Sequence, residues 1–271
     1  MPCALLPMHC ARDLLDTMRA PLDDVCGCFP TGRHYPGIAD LIAGTVTEVA
    51  GLAKHIEATA SWIEQKVAVI DFETTGLSAE NDRVLEVGVA CFERGELTAR
   101  KSWLVNPGIP VPEQSRAVHK ISDEMLRDAP PFAAIVPEFE ALIREHLPVA
   151  YNADFDRGFL FAELTRAGRT TSDAALPPAF DSTISWIDPL VWSRELHKDQ
   201  RGHKLTDVCT RLGIVIDAAH RAASDAEATG RVLLALAPRM PTPYGELIRL
   251  QTQYAARQSL DQASSGWRRR G

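Results

Sequence analysis

The amino-acid sequence predicts an α/β domain built around a mixed sheet. Two patterns carry that expectation. Residues 66 to 105 read as three strands in an antiparallel meander, and strands then alternate with helices to about residue 238. A third observation locates the centre of the sheet. Val67-Ala68-Val69-Ile70 is an apolar, largely β-branched run, and Thr74-Thr75-Gly76 beyond it is a turn signal. Asp71 and Glu73 lie between the two. Side chains alternate across a strand, so both carboxylates point from one face. Two such acids repel unless a cation sits between them or one is protonated.

Bulk properties set the bounds. The chain has 271 residues, 45% of them hydrophobic and 24% charged, enough for one soluble domain with a sizeable core plus an appendage. A formal net charge of -7 argues against a broad basic surface gripping long duplex nucleic acid. It leaves room for a small site that handles phosphate through metal ions. No apolar run approaches the roughly 20 residues of a membrane span. The N-terminus has no basic stretch followed by an apolar core, so no signal peptide is expected. The six cysteines are few and irregularly spaced, and the expectation is a cytoplasmic protein with reduced thiols.

Three regions are expected: an N-terminal extension over 1–65, a central α/β domain over 66–240 and a polar tail over 241–271. Prolines break the first 36 residues, which also hold Cys3, Cys10, Cys26 and Cys28 near His9 and His34. One reading is a zinc site, although Cys26-Gly27-Cys28 is tighter than usual ligand spacing. The favoured reading is a small cap whose thiols act as apolar groups. From Gly37 to Gln65 a helix is expected, because Ile42, Val46, Val49, Ala53, Ile56, Ala60 and Ile63 alternate steps of four and three. That stripe suits a homodimer or partner helix, or, as favoured, a helix lying on the next domain.

In the domain, Arg83–Phe92 and Thr98–Val105 complete the meander. Ser122 caps a short helix, and Pro131–Glu145 forms a longer one. Pro148–Tyr151 reads as a short buried strand, and Asp154–Ala167 as an amphipathic helix stopped by Gly168. Ser185–Leu190 is a further strand, Val191–Leu196 and Leu205–Leu212 are helices, and Ser224–Ala237 is the last helix expected. Val118-His119-Lys120 reads as loop. The tail, rich in Gln and ending Trp267-Arg268-Arg269-Arg270, reads as polar and solvated, with tethering or phosphate steering as the other readings.

Two later segments supply partners for the first acids. Asp156 falls in the first turn of a helix after a buried strand, where helix capping alone would also account for it. Ser224 and Glu227 match a capping box that starts a helix at Asp225 and leaves His220 in the preceding loop. Asp71, Glu73, Asp156 and Asp225 are hard oxygen ligands that suit Mg²⁺ or Mn²⁺ better than zinc. Four carboxylates can hold two such ions about 3.5–4 Å apart, the arrangement of an in-line phosphoryl displacement. A loop His titrating near neutrality suits a general base.

These segments resemble a known family. Asp71-Phe72-Glu73-Thr74-Thr75-Gly76-Leu77, Asn152-x-x-Phe155-Asp156-x-x-Phe159-Leu160 and His220-Arg221-Ala222-x-x-Asp225-Ala226 are similar, in order, to the three motifs of the DEDDh 3′–5′ exonucleases, which include proofreading subunits. The resemblance spans about residues 66 to 238. It implies a ribonuclease-H-like fold with a five-stranded mixed sheet flanked by helices. It implies two Mg²⁺, replaceable by Mn²⁺, held by Asp71, Glu73, Asp156 and Asp225, with His220 as general base. Thr74 and Leu77 would contact the 3′-terminal nucleotide, and His119, Asn152 and Phe155 would line the same pocket. The substrate implied is a single-stranded 3′ end of DNA or RNA, in proofreading, repair or RNA trimming, with a polymerase as a candidate partner. The alternative is a non-catalytic or polymerase-tethered module that binds through the N-terminal helix. Tyr151 stands where the family often has His, and Lys120 where it often has Gly.

Overall fold

A computed structural model describes residues 49–169, 176–216 and 221–268. Its sheet is built from β1 (Lys66–Thr74), β2 (Val84–Glu93), β3 (Glu96–Leu104) and β4 (Leu147–Val149), in the order β3-β2-β1-β4. The meander is as expected: β1 pairs antiparallel with β2, and β2 with β3. β4 runs parallel to β1 over Val67–Val69 only. The sheet is mixed, with β1 inside it.

The expected fifth strand shrinks to a single bridge between Val149 and Ile187, so among the described residues the sheet has four strands rather than five. Ile187 N–H donates to Pro148 O at 2.9 Å and Ala150 N–H to Ile187 O at 3.2 Å. The ladder cannot continue in either direction. Ser185 N–H is taken by Gly51 O, Asp188 N–H by the Gln251 side chain, and Pro189 has no N–H.

Helices cover both faces. They are α1 (Glu113–His119), α2 (Asp123–Leu126), α3 (Phe132–Ile143), α4 (Ala153–Arg166), α5 (Pro189–Leu196), α6 (Leu205–Leu212), α7 (Ala222–Leu236) and α8 (Tyr244–Arg268). Alternation along the strands sorts the core. Val67, Val69, Ala90 and Phe92 pack with Ala226, Val232 and Leu233 of α7. Ala68, Ile70, Phe72, Val87 and Val89 pack with Phe139 of α3 and Phe159 and Leu160 of α4. Asp71 and Glu73 continue the first set, so they point to the α7 side.

Four expectations are corrected. Residues 49–65 are not helical: they form turns and a short 3-10 turn at Trp62–Glu64, buried against the body. Apart from local turn bonds such as Ile56 N–H to Ala53 O, their hydrogen bonds run to distant segments. Trp62 N–H donates to Thr242 O, and Tyr244 N–H to Ala60 O. These tertiary bonds override helix propensity. The 37–48 part of that helix, and Cys3, Cys10, Cys26 and Cys28, lie outside the described residues. Val49, Ile56 and Ile63 pack onto the body, so this half of the stripe is not offered to a second copy.

The tail is likewise not a solvated segment through residue 262. α8 buries Tyr244, Leu247, Ile248 and Gln251, an apolar stripe at helical spacing. Residues 113–119 form a helix rather than a loop, and Lys120 ends it in the left-handed region at φ 62°. Finally, α7 starts at Ala222 rather than Asp225, and Arg221 occupies the N-cap without a side-chain cap. Ser224 is turned to Arg100 instead. No helix among the described residues is long and apolar enough to cross a membrane.

Candidate active site

β1 outruns β4. Past Val69 its edge has no strand partner on that side, and the N–H of Phe72 is free to leave the ladder. Asp156, buried in the first turn of α4, takes it: Oδ1 accepts from Phe72 N–H at 3.0 Å. A backbone bond between Asp71 and Glu73 thus fixes the third acid beside the first two. The fourth comes from the opposite face. Asp225, in the first turn of α7, meets Asp71 and Glu73, and one carboxylate oxygen from each lies within 4.8 Å of the others. Asp156 falls outside that tight group of three but is electrostatically part of it.

Burial and mutual repulsion dominate the electrostatics of the cluster. Burial pushes Asp71 well above the usual carboxylate range, and Asp156, Asp225 and Glu73 add repulsion. Burial also pushes Glu73 up to about 8, with Asp225 and Glu86 contributing and Arg221 opposing. Asp156 is raised by burial against the pull of its backbone donors, with Asp188 and Glu73 raising it further. Clustered, desolvated carboxylates of this kind fit a divalent cation bound through oxygen.

The expected substrate residues are arranged around this cluster to different degrees. Thr74 is buried and donates to Gly76 O at 2.6 Å, shaping the turn. Leu77, at its tip, is 88% exposed. Asp82 closes the loop by accepting from Thr75 Oγ1 at 3.0 Å and Ser78 N–H at 2.9 Å. Asn152 adopts φ 70°, and Phe155 stacks on Phe159 with centroids 4.9 Å apart. His119 is buried, and its Nδ1 accepts from Ile121 N–H at 3.0 Å. His220 lies outside the described residues.

The exonuclease family model named for RNase T matches residues 68–233. The chain belongs to that exonuclease family. It is 30% identical over 210 residues to the PolC-type DNA polymerase III of Streptococcus suis, covering 76% of this chain and 14% of the relative. It is 32% identical over 190 residues to the 3′-5′ exonuclease DinG of Bacillus subtilis, covering 69% of this chain and 19% of the relative. The chain therefore spans less than a fifth of either relative. The fold is shared with exonuclease X in complex with 5′ overhanging duplex DNA, at TM-score 0.53 and 21% identity over 68% of this chain and 99% of that one. It is also shared with the nuclease domain of 3′hExo, a DEDDh family member bound to rAMP, at TM-score 0.53 and 15% identity, covering 65% and 93%. Family membership implies dependence on a divalent metal, and Asp71, Glu73 and Asp225 form a cluster able to take one.

Around this candidate site, sequence reading missed two supporting acids. Asp188 accepts from Asn152 N–H and Ala153 N–H, both at 3.1 Å, and so caps α4 ahead of Asp156. Glu86 is wholly buried on β2, directly opposite Glu73. A lone acid inside the apolar run Val84-Leu85-Glu86-Val87 was the available signal. Asp188 before Pro189 signals only a local helix cap. The departure at Lys120 also has a structural meaning: its left-handed backbone is one that favours glycine. Tyr151 keeps its hydroxyl occupied, donating to His203 O at 2.6 Å.

Proposed function

We propose that this chain is a metal-dependent 3′–5′ exonuclease that releases nucleoside monophosphates from single-stranded 3′ ends. The observation that carries the reading is the meeting of Asp71, Glu73 and Asp225 at the end of β1. The name of the DinG relative supplies the 3′-5′ polarity. The structural relatives include one in complex with DNA and one bound to rAMP, which supports either sugar as substrate. The metal chemistry acts at phosphate and ignores the sugar.

In this reading Asp71, Glu73, Asp156 and Asp225 hold two Mg²⁺, with Mn²⁺ able to replace them. Bound ions supply Lewis-acid stabilisation of the attacking and leaving oxygens of an in-line displacement. Glu73 also orients the attacking water. His220 accepts that water's proton, and its place in the motif next to Arg221 supports the role. Thr74 turns the chain so that the exposed Leu77 can press on the terminal base. His119, Asn152 and Phe155 border the same end of the sheet. A polymerase partner is supported by the PolC-type relatives.

The test is incubation of the purified protein with 5′-labelled DNA and RNA oligonucleotides of matched sequence and Mg²⁺. A ladder of 3′-shortened products is expected, and EDTA should abolish it. Removing one preorganised electrostatic group costs about 10²–10³ in rate, and Asp71→Asn, Glu73→Gln and His220→Ala should each do so. Undiminished cleavage by these variants would refute the assignment.

A further inference from the structure

Glu86 is 0% exposed and faces the same side of the sheet as Glu73, its cross-strand partner. A carboxylate so buried is costly unless fully paired. Its partners converge from two directions. Arg221 grips it bidentately, Nε to Oε2 at 3.0 Å and Nη2 to Oε1 at 2.8 Å. Ser102 of β3 donates its hydroxyl to Oε1, and Ala222 N–H donates to Oε2 at 3.4 Å. Burial alone would push Glu86 up, but these donors together hold it below the usual carboxylate value.

Arg221 and Ala222 are the N-cap and first residue of α7. Glu86 therefore binds the helix start that no local side chain caps, and does so from a strand 135 residues away in sequence. Gly88, two residues along the same face, makes the close seating possible. A Cβ there would lie 2.1 Å from Ala222 C and 2.2 Å from Ala223 N. Gly88 is in turn the cross-strand partner of Asp71. The first turn of α7 is thus bolted to the strand beside Asp71 and Glu73, and Asp225 lies on that turn.

We infer that Glu86 is a positioning residue of the metal site: through Arg221 and the Ala222 N–H it sets the seat of α7, and so the placement of Asp225 against Asp71 and Glu73. The inference rests on the metal-site reading above. It differs from a simple charge effect in the sign it gives to one substitution. As a charge alone, Glu86 attracts a cation and Arg221 repels it, so Glu86→Gln would weaken metal binding and Arg221→Gln would strengthen it. As a clamp, losing either half weakens binding.

The experiment is direct Mn²⁺ titration of the full chain followed by electron paramagnetic resonance, beside the Mg²⁺ dependence of oligonucleotide cleavage. Side chains that hold metal ligands in place are worth about 10–100-fold in affinity. Glu86→Gln and Arg221→Gln should each weaken Mn²⁺ binding by about tenfold and raise the half-saturating Mg²⁺ by the same factor. KM for the oligonucleotide should stay as in the wild type. The double variant should be no worse than either single one. Arg221 is half-exposed, so Arg221→Gln carries the test if Glu86→Gln does not fold. Tighter binding in Arg221→Gln, or wild-type Mn²⁺ affinity in a folded Glu86→Gln, overturns the clamp. Asp225→Asn serves as the control. If it abolishes Mn²⁺ binding while the clamp variants bind normally, only the positioning role fails. If it binds normally, the metal-site reading fails and this inference with it.

Discussion

Glu73 is the residue at which the competing forces of the site are easiest to measure. Its carboxyl is pushed up to about 8 in the metal-free protein, mainly by burial and then by Asp225 and Glu86. In the unfolded chain it would titrate near the ordinary value of about 4.3. Between those values the folded protein holds a proton that the unfolded chain has lost. Folding stability in EDTA should therefore fall as pH rises from about 5 to 8. Asp71 and Asp156, raised by burial as well, act in the same direction, so Glu73→Gln, which removes this proton, should make that part of the profile shallower. A divalent ion replaces the proton, so added Mg²⁺ should raise the melting temperature more at pH 8 than at pH 6. Thermal melts with and without metal across that range check it; a Glu73→Gln profile as steep as wild type would rule the account out. The four acids were legible in the sequence because each stands in a strand end or helix start whose local pattern is recognisable. Glu86 and Asp188 were not, because their meaning lies in contacts with Arg221, Asn152 and Ala153, remote in the chain.

At the scale of elements, strands and mid-chain helices followed from apolar run length and periodicity, while the two flanking segments were misread for opposite reasons. The 4-3 stripe through Val49, Ala53, Ile56, Ala60 and Ile63 looks helical, yet the segment makes only isolated turn bonds locally and bonds Tyr244 and Thr242 at long range. The glutamine-rich tail looks solvated, yet one of its glutamines is buried structure. Gln251 of α8 accepts from Asp188 N–H at 2.8 Å and Trp192 Nε1–H at 3.1 Å, and donates to Trp186 O at 2.8 Å. It thereby holds the segment whose Asp188 caps α4 and aims Asp156. Composition cannot distinguish such a glutamine from a solvated one. Gln251→Leu keeps the volume and strands those polar groups, each costing about 1–3 kcal/mol when buried and unpaired. The variant should melt several degrees lower and lose exonuclease rate through α4. An unchanged melting temperature would show that Gln251 is dispensable.

At the scale of the whole molecule, Val49–Gly271 forms one compact unit, and the sheet-and-helix core within it is closed by a seam that joins the segment before β1 to the start of α8. Trp62 is 0% exposed, and its Nε1–H donates to Pro241 O at 2.9 Å. Ala53 N–H donates to Tyr244 Oη at 3.2 Å, and Gly245 N–H to Ala58 O at 2.8 Å. Each side of the seam satisfies polar backbone groups of the other, so neither is an appendage. The family match at residues 68–233 contains neither side, which makes the seam a property of this chain's own flanks. A chain cut to 66–271 takes away the partners of the Tyr244 N–H and of the Pro241 and Thr242 carbonyls, and empties the space of Trp62. Emptying a buried Trp alone costs about 3–5 kcal/mol, a large part of the roughly 5–15 kcal/mol that holds a domain together. The 66–271 chain should therefore melt far below the 49–271 chain, aggregate on heating and bind Mn²⁺ only when stabilised by low temperature. If the two chains melt alike, the seam is ornament on a core that folds without it, and the boundary belongs at Lys66.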